Sequence, residues 1–234
     1  MSVELATVKL ARAGVAAALV MLASVFVPGV LGQDGAVSSA EIVVDYSNPS
    51  ATPSHWILTF HRDGNGHFRS ERSNPPATEA SQMDVPNVDR DVQVTAEFAG
   101  RVFQEAKQHN WFNQQCESHV KVAFQGWKKL SYTGPDGHGS CTFNYSKDKE
   151  IQTLGDQLSA VAETLMVGAR LENLWQHDPL GLDRETEYLL EAAKDGRIRQ
   201  IGTIKQILEK LEEDPGVLER VRKRARILLA IEDR

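Results

Sequence analysis

WILTFHRDGNGHFRSER, residues 56–72, is the stretch on which the fold class turns. Trp56, Leu58 and Phe60 alternate with Ile57, Thr59 and His61, the two-residue period of a strand that shows one face to a core. Asp63-Gly64 and Asn65-Gly66 then separate this run from HFRSER. Gly and Asn tolerate the positive φ of tight turns, so the stretch predicts a hairpin and therefore an antiparallel pair.

Upstream, EIVVDY (residues 41–46) predicts a further short strand, joined by the loop NPSATPS (48–54). Downstream, residues 73–90 carry three prolines and few apolar side chains, and predict a long surface loop. DVQV then leads into TAEFAGRVFQEAKQHNWF. Phe98, Val102 and Ala106, with Ala99 and Phe103 beside them, form one face of a helix capped by Thr95. It ends near Asn110, with Trp111 and Phe112 tucked under the sheet. VKVAF (120–124) alternates weakly. KLSYT and CTFNYS, joined by GPDGHGS, predict a second hairpin, with Leu130 and Tyr132 facing inward on one strand and Cys141, Phe143 and Tyr145 on the other.

From Lys147 onward the spacing is helical. Ile151, Leu154, Leu158, Val161 and Leu165 make one long helix, with Ser146 as its cap, running through Leu171 and Leu174 to Asp178-Pro179. Three shorter helices follow near 183–195, 200–213 and 215–231, the last started by Asp214 and Pro215. The prediction is an α+β domain over residues 41–177, an antiparallel sheet covered by two helices, followed by a short all-α tail over 178–234.

The order strand, DGNG hairpin, Pro-rich loop, T-x-E-F helix ending in W-F, Gly-rich hairpin and helix resembles a family of secreted bacterial domains of unknown function. Trp56–Arg72, Asp91–Phe112 and Lys129–Ser146 carry the resemblance, about half of the chain. The family has no established activity, so the resemblance implies a fold and a secreted setting but no catalytic residues. The tail from Asp183 lies outside it.

The N-terminus carries an address. Lys9 and Arg12 precede AGVAAALVMLASVFVPGVLG, residues 13–32, which contain no charge. A basic start, an apolar stretch and small residues at its end predict a signal peptide over 1–32, cleaved before Gln33, with a second candidate site before Glu41. The alternative is an uncleaved membrane anchor, which Pro28, Gly29 and Gly32 weaken. Residues 33–40, small and polar, form a flexible leader. The mature chain is expected outside the cytoplasm, secreted or periplasmic, with membrane contact only if the N-terminal helix is retained.

The chain has 234 residues, 26 basic and 32 acidic side chains, a net charge of −6 and two cysteines. That balance argues against nucleic acid as a partner. Two cysteines cannot hold a four-cysteine zinc site. In an exported chain the pair favours a Cys116–Cys141 disulfide. A buried structural thiol at Cys141, or a catalytic thiol served by His119 or His138, is the alternative. His61 and His67 flank the first turn, and would sit opposite one another as candidate metal ligands if the pairing centres on Gly64. No third ligand is evident, and Arg69 would repel a cation. DGNG fails the EF-hand spacing, and GPDGHGSC lacks the lysine of a phosphate loop and the pattern of a nucleophile elbow. Ser140 and His138 are expected to diverge on their strand. No cofactor motif is found.

In the tail, LERVRKRAR places Arg220, Arg222, Lys223, Arg224 and Arg226 on the last helix. They are candidates for binding an acidic partner, against a solvated face balanced by Glu209, Glu212, Glu213 and Asp214. The apolar stripes Leu189–Leu190, Ile207–Leu208–Leu211 and Leu228–Leu229 must bury on one another, on the long helix or on a partner. The leading reading is an uncharacterised extracytoplasmic binding or structural module acting through protein contacts, and it leans against an enzyme. The alternatives are a hydrolase of unrecognised type and an envelope protein held by its uncleaved N-terminal helix.

Overall fold

The computed structural model describes residues 40–71 and 87–231. The expected signal peptide, most of the leader and most of the Pro-rich loop lie outside these residues. The elements run in the order β1 (Glu41–Ser47), β2 (His55–His61), β3 (Asn65–Glu71), β4 (Val88–Gln93), α1 (Ala96–Gln108), β5 (Trp127–Gly134), β6 (Gly137–Phe143), α2 (Lys149–His177), α3 (Gly181–Lys194), α4 (Lys205–Glu213) and α5 (Glu219–Leu229). Short 3₁₀ turns cover Asn110–Phe112 and Ile201–Ile204.

The strands form one six-stranded antiparallel sheet in the order β4-β3-β2-β1-β5-β6. The period-2 pattern sets its two faces. Ile42, Val44, Trp56, Leu58, Phe60, Phe68, Leu130, Tyr132, Cys141 and Phe143 are buried together on the inner face. Two helices cover that face, as α+β patterning requires. Thr95 caps α1, its Oγ1 accepting the Phe98 N–H at 3.2 Å. Phe98 and Phe103 of α1 then meet Phe60 at ring-centroid distances of 6.4 and 6.2 Å.

β4 departs from the sequence reading, which left residues up to Arg90 in a loop. Asp89, Arg90 and Asp91 hide its pattern, yet Val88 and Val92 point inward and are buried. Charge on an outermost strand is how native sheets discourage pairing with other chains. VKVAF forms no strand and is exposed. Tyr145 lies beyond the end of β6 and is exposed too, because pairing stops at Phe143. α2 is capped by Asp148 rather than Ser146, the Asp148 carboxylate accepting the N–H groups of Glu150 and Ile151 at 3.0 and 3.3 Å. Asp214 and Pro215 do not start the last helix. Asp214 ends α4 and accepts from the Trp175 indole at 2.8 Å, and α5 starts at Glu219.

The Gly-rich second hairpin has a packing reason. Asn110, Trp111 and Phe112 take left-handed φ values of 52°, 57° and 63° after α1. This turn buries Phe112 and stacks Trp111 on Tyr132 at 4.3 Å. It lies directly on β6, where a Cβ on Gly139 would come within 2.5 Å of the Trp111 carbonyl oxygen. The hairpin tip closes on Pro135-Asp136, with Gly134 facing Gly137.

α2 serves two cores. Ile151, Leu154, Leu158, Val161 and Leu165 pack on the sheet. Val167 and Leu171 pack with Leu182, Leu189, Ile207, Leu208, Leu211, Val221 and Leu228 of the tail. The tail stripes are therefore buried on one another and on α2. Arg90 and Glu172 join β4 to α2 through two bonds of 3.0 and 2.6 Å.

Two glycines in helices should respond in opposite directions to alanine. A Cβ on Gly168 of α2 would lie 2.3 Å from Ile204 Cγ2, a β-branched neighbour with little freedom to move. Gly168→Ala should destabilise by about 1–3 kcal/mol through overpacking, offset in part by helix propensity. Gly100 of α1 has nothing within 4 Å of such an atom, so Gly100→Ala should stabilise by about 0.5–1 kcal/mol. Urea unfolding of both variants reads the two signs. Truncation after His177 should unfold or aggregate the chain, because it uncovers Val167 and Leu171, each buried apolar side chain being worth about 1.5–3 kcal/mol. Light scattering showing a folded, monomeric fragment would count against this account.

Candidate functional site

Among the described residues, the strap between α1 and β5 and the start of β5 hold a run of exposed apolar side chains. Val120, Val122, Phe124 and Trp127 are between 43% and 50% exposed, and Phe124 meets Trp127 edge to face at 5.8 Å. Scattered surface hydrophobes are ordinary, and a cluster of them is a candidate contact surface. The strap is pinned at several points. Cys116 and Cys141 lie at disulfide distance, with their Cα atoms 5.7 Å apart, and fasten its start to β6. The Asn144 side chain accepts the Gln125 N–H at 2.7 Å and donates to the Ala123 carbonyl at 3.3 Å. Asn144 is also the first residue of a glycosylation sequon, and here its amide is a clamp. The Tyr46 hydroxyl donates to the Gln125 carbonyl at 2.8 Å. Burial pushes the Glu117 carboxyl up, but N–H donors from Asn144, His119 and Tyr145 outweigh it and hold the group below its ordinary range. Between these anchors, the backbone of Lys121, Val122 and Phe124 makes no hydrogen bond to other described residues.

The outer face of the sheet carries His55, His61, His67 and His138, four of the seven histidines. The first hairpin is centred on Asp63, not Gly64, so His67 faces Thr59 instead of His61. Gly64, at φ +86°, makes the turn, and its carbonyl accepts the Val94 N–H at 3.0 Å. His61 and His67 therefore do not converge on a metal. His61 Nδ1 lies 3.3 Å from the Ala40 carbonyl, while His67 sits between Asp91 at 3.0 Å and Asp89 at 2.8 Å, both from β4. His138 and Ser140 share this face, because residues two apart on a strand point the same way, contrary to the divergence expected.

A cleft of about 470 Å³ opens between β1, β2 and α2. Tyr46 and Trp56, stacked at 5.2 Å, form one wall, and buried Lys128 reaches Asp156 at 3.5 Å. Among the described residues, Glu105, His109 and Glu150 bring three ligand-capable atoms within 4.8 Å of one another. Sequence reasoning passed over this group, since Glu105 and His109 carry only a one-turn helical spacing and Glu150 lies in another element.

The basic run of α5 is engaged within the chain. Arg220 and Arg224 both bond Asp183 at 2.6 Å, and these donors hold its carboxyl below the ordinary range. Arg226 pairs with Glu212 at 3.2 Å, and Arg222 with Glu219 at 2.9 Å. Lys223 is exposed. These arginines fasten α5 to α3 and α4.

Comparison with protein-family models finds no match to the chain, and comparison with curated proteins finds no similar sequence. The cysteine pair is compatible with an extracytoplasmic location. Among the described residues, no helix is long and apolar enough to cross a membrane.

His67 gives the outer face a pH response. The Asp91 carboxylate, with help from Asp89, holds the imidazolium and raises its pKa above the ordinary 6.5. A histidine raised in the folded state contributes stability in full below its unfolded value, and loses it as pH rises through the folded one. Asp91→Asn should lower the His67 midpoint in an NMR titration and shrink the stability lost between mildly acidic and neutral pH. An unchanged midpoint would show that Asp91 does not hold the proton.

Proposed function

We propose that this protein is a secreted or periplasmic binding module, without catalytic activity of its own, that engages a protein partner through the strap 119–127. The observation that carries the reading is the exposed run of Val120, Val122, Phe124 and Trp127 on a segment pinned by Cys116, Asn144 and Tyr46. A pinned strap loses little conformational freedom on binding, which lowers the cost of association. The backbone donors and acceptors of Lys121, Val122 and Phe124, which make no bond to other described residues, suit the addition of a strand from the partner. The uncharged stretch at 13–32 and the disulfide support the compartment. The resemblance to secreted bacterial domains of unknown function points the same way.

A photo-cross-linking residue at Phe124, and another at exposed Lys194 as control, tests the reading on the envelope fraction of the native cell. Adducts from position 124 should disappear on adding excess unlabelled wild-type protein. They should persist when the competitor carries Val122→Asp and Phe124→Asp. Equal adducts from position 194, or full competition by the double variant, would reject the strap as the partner surface.

A further inference from the structure

His109 closes the last turn of α1, one helical turn after Glu105, and meets the first turn of α2. Its Nε2 lies 3.1 Å from Glu150 Oε2 and 3.7 Å from Glu105 Oε2. Its Nδ1 lies 3.2 Å from Asp148 Oδ2 and 3.3 Å from the Gln114 amide. Asp148 is itself held, since its other oxygen caps α2. With its one N–H on Nδ1, towards Asp148, a neutral imidazole turns the Nε2 lone pair to Glu105 and Glu150, the tautomer a metal ligand needs. With the N–H on Nε2 instead, the ring donates to Glu150 and its Nδ1 accepts from the Gln114 amide, and Glu105 still gains no donor. A doubly protonated ring would satisfy Asp148 and Glu150, but Glu105 Oε2 is beyond hydrogen-bond reach. That oxygen is closed off from solvent and has no hydrogen-bond partner.

We propose that Glu105, His109 and Glu150 form a site for a divalent transition-metal ion, with Asp148 orienting the imidazole. Two ligands each about 2.0–2.1 Å from a tetrahedral ion lie about 3.3 Å apart, close to the separations around Nε2. A carboxylate on the far nitrogen of a metal-binding histidine is the usual second partner, and fixes the tautomer that leaves Nε2 free. One nitrogen and two carboxylates suit Zn²⁺ or a neighbouring transition ion, whereas Ca²⁺ takes six to eight oxygens. Glu150 is 69% exposed, so the remaining coordination position faces water. The ion would tie the end of α1, from which the strap departs, to the start of α2. The site rests on its own geometry and stands whether or not the strap binds a partner.

Mature protein stripped with EDTA and titrated calorimetrically with ZnCl₂ tests the site. It should bind one Zn²⁺ per chain, with a matching rise in Tm, and CaCl₂ should give neither. Asn caps helices as well as Asp does, so Asp148→Asn should keep α2 intact while weakening Zn²⁺ about 10–100-fold. Glu150→Gln, at an exposed position that folding does not need, should weaken it at least as much. His67→Ala, which removes the other histidine held between carboxylates, should leave the binding unchanged. No saturable binding of millimolar Zn²⁺ would overturn the proposal. So would unchanged affinity in both Asp148→Asn and Glu150→Gln, which would leave His109 as an imidazolium clamp.

Discussion

The burial of α2 on two sides in succession is the constraint on which the rest depends. Residues Ile151 to Leu165 need the inner face of the sheet, while Val167 and Leu171 need the tail. A helix of 29 residues cannot leave either stripe in water, so sheet and tail are held by one rod. Glycines set how closely its neighbours approach. Gly155 leaves room for Phe143 and the stem of Lys128, and Gly168 leaves room for Ile204. The polar contacts reinforce the same junction. Thr164 accepts the Arg199 N–H at 3.1 Å, and the Gln200 side chain accepts the Thr95 N–H at 2.6 Å.

Covering the inner face so completely leaves the chemistry at the margins. The outer face of the sheet is polar, with acids and histidines in register across β1 to β4. The apolar strap runs from a left-handed turn to the first residue of β5, and the disulfide, Asn144 and Tyr46 hold it open. Its exposed apolar side chains belong to neither buried core. The arginines of α5 have the opposite character. They sit on the surface, yet Asp183, Glu212 and Glu219 neutralise them, which weakens any general attraction for an acidic partner.

Local periodicity determined the hairpins, the capped face of α1, the long run of α2 and the alternating inward residues, because each follows from side chains a few positions apart. It also favoured the Cys116–Cys141 pair, through the even count and the expected compartment. Tertiary structure alone decided the rest. β4 was hidden because Asp89, Arg90 and Asp91 obey the needs of an outermost strand rather than a core. The first hairpin pairs about Asp63, with Gly64 at positive φ accepting the Val94 N–H, a contact made by a distant segment. His109 found Asp148 and Glu150 across about forty residues because α1 and α2 cross at their ends. No local pattern can announce such a meeting, since each side chain satisfies its own helix equally well without the other.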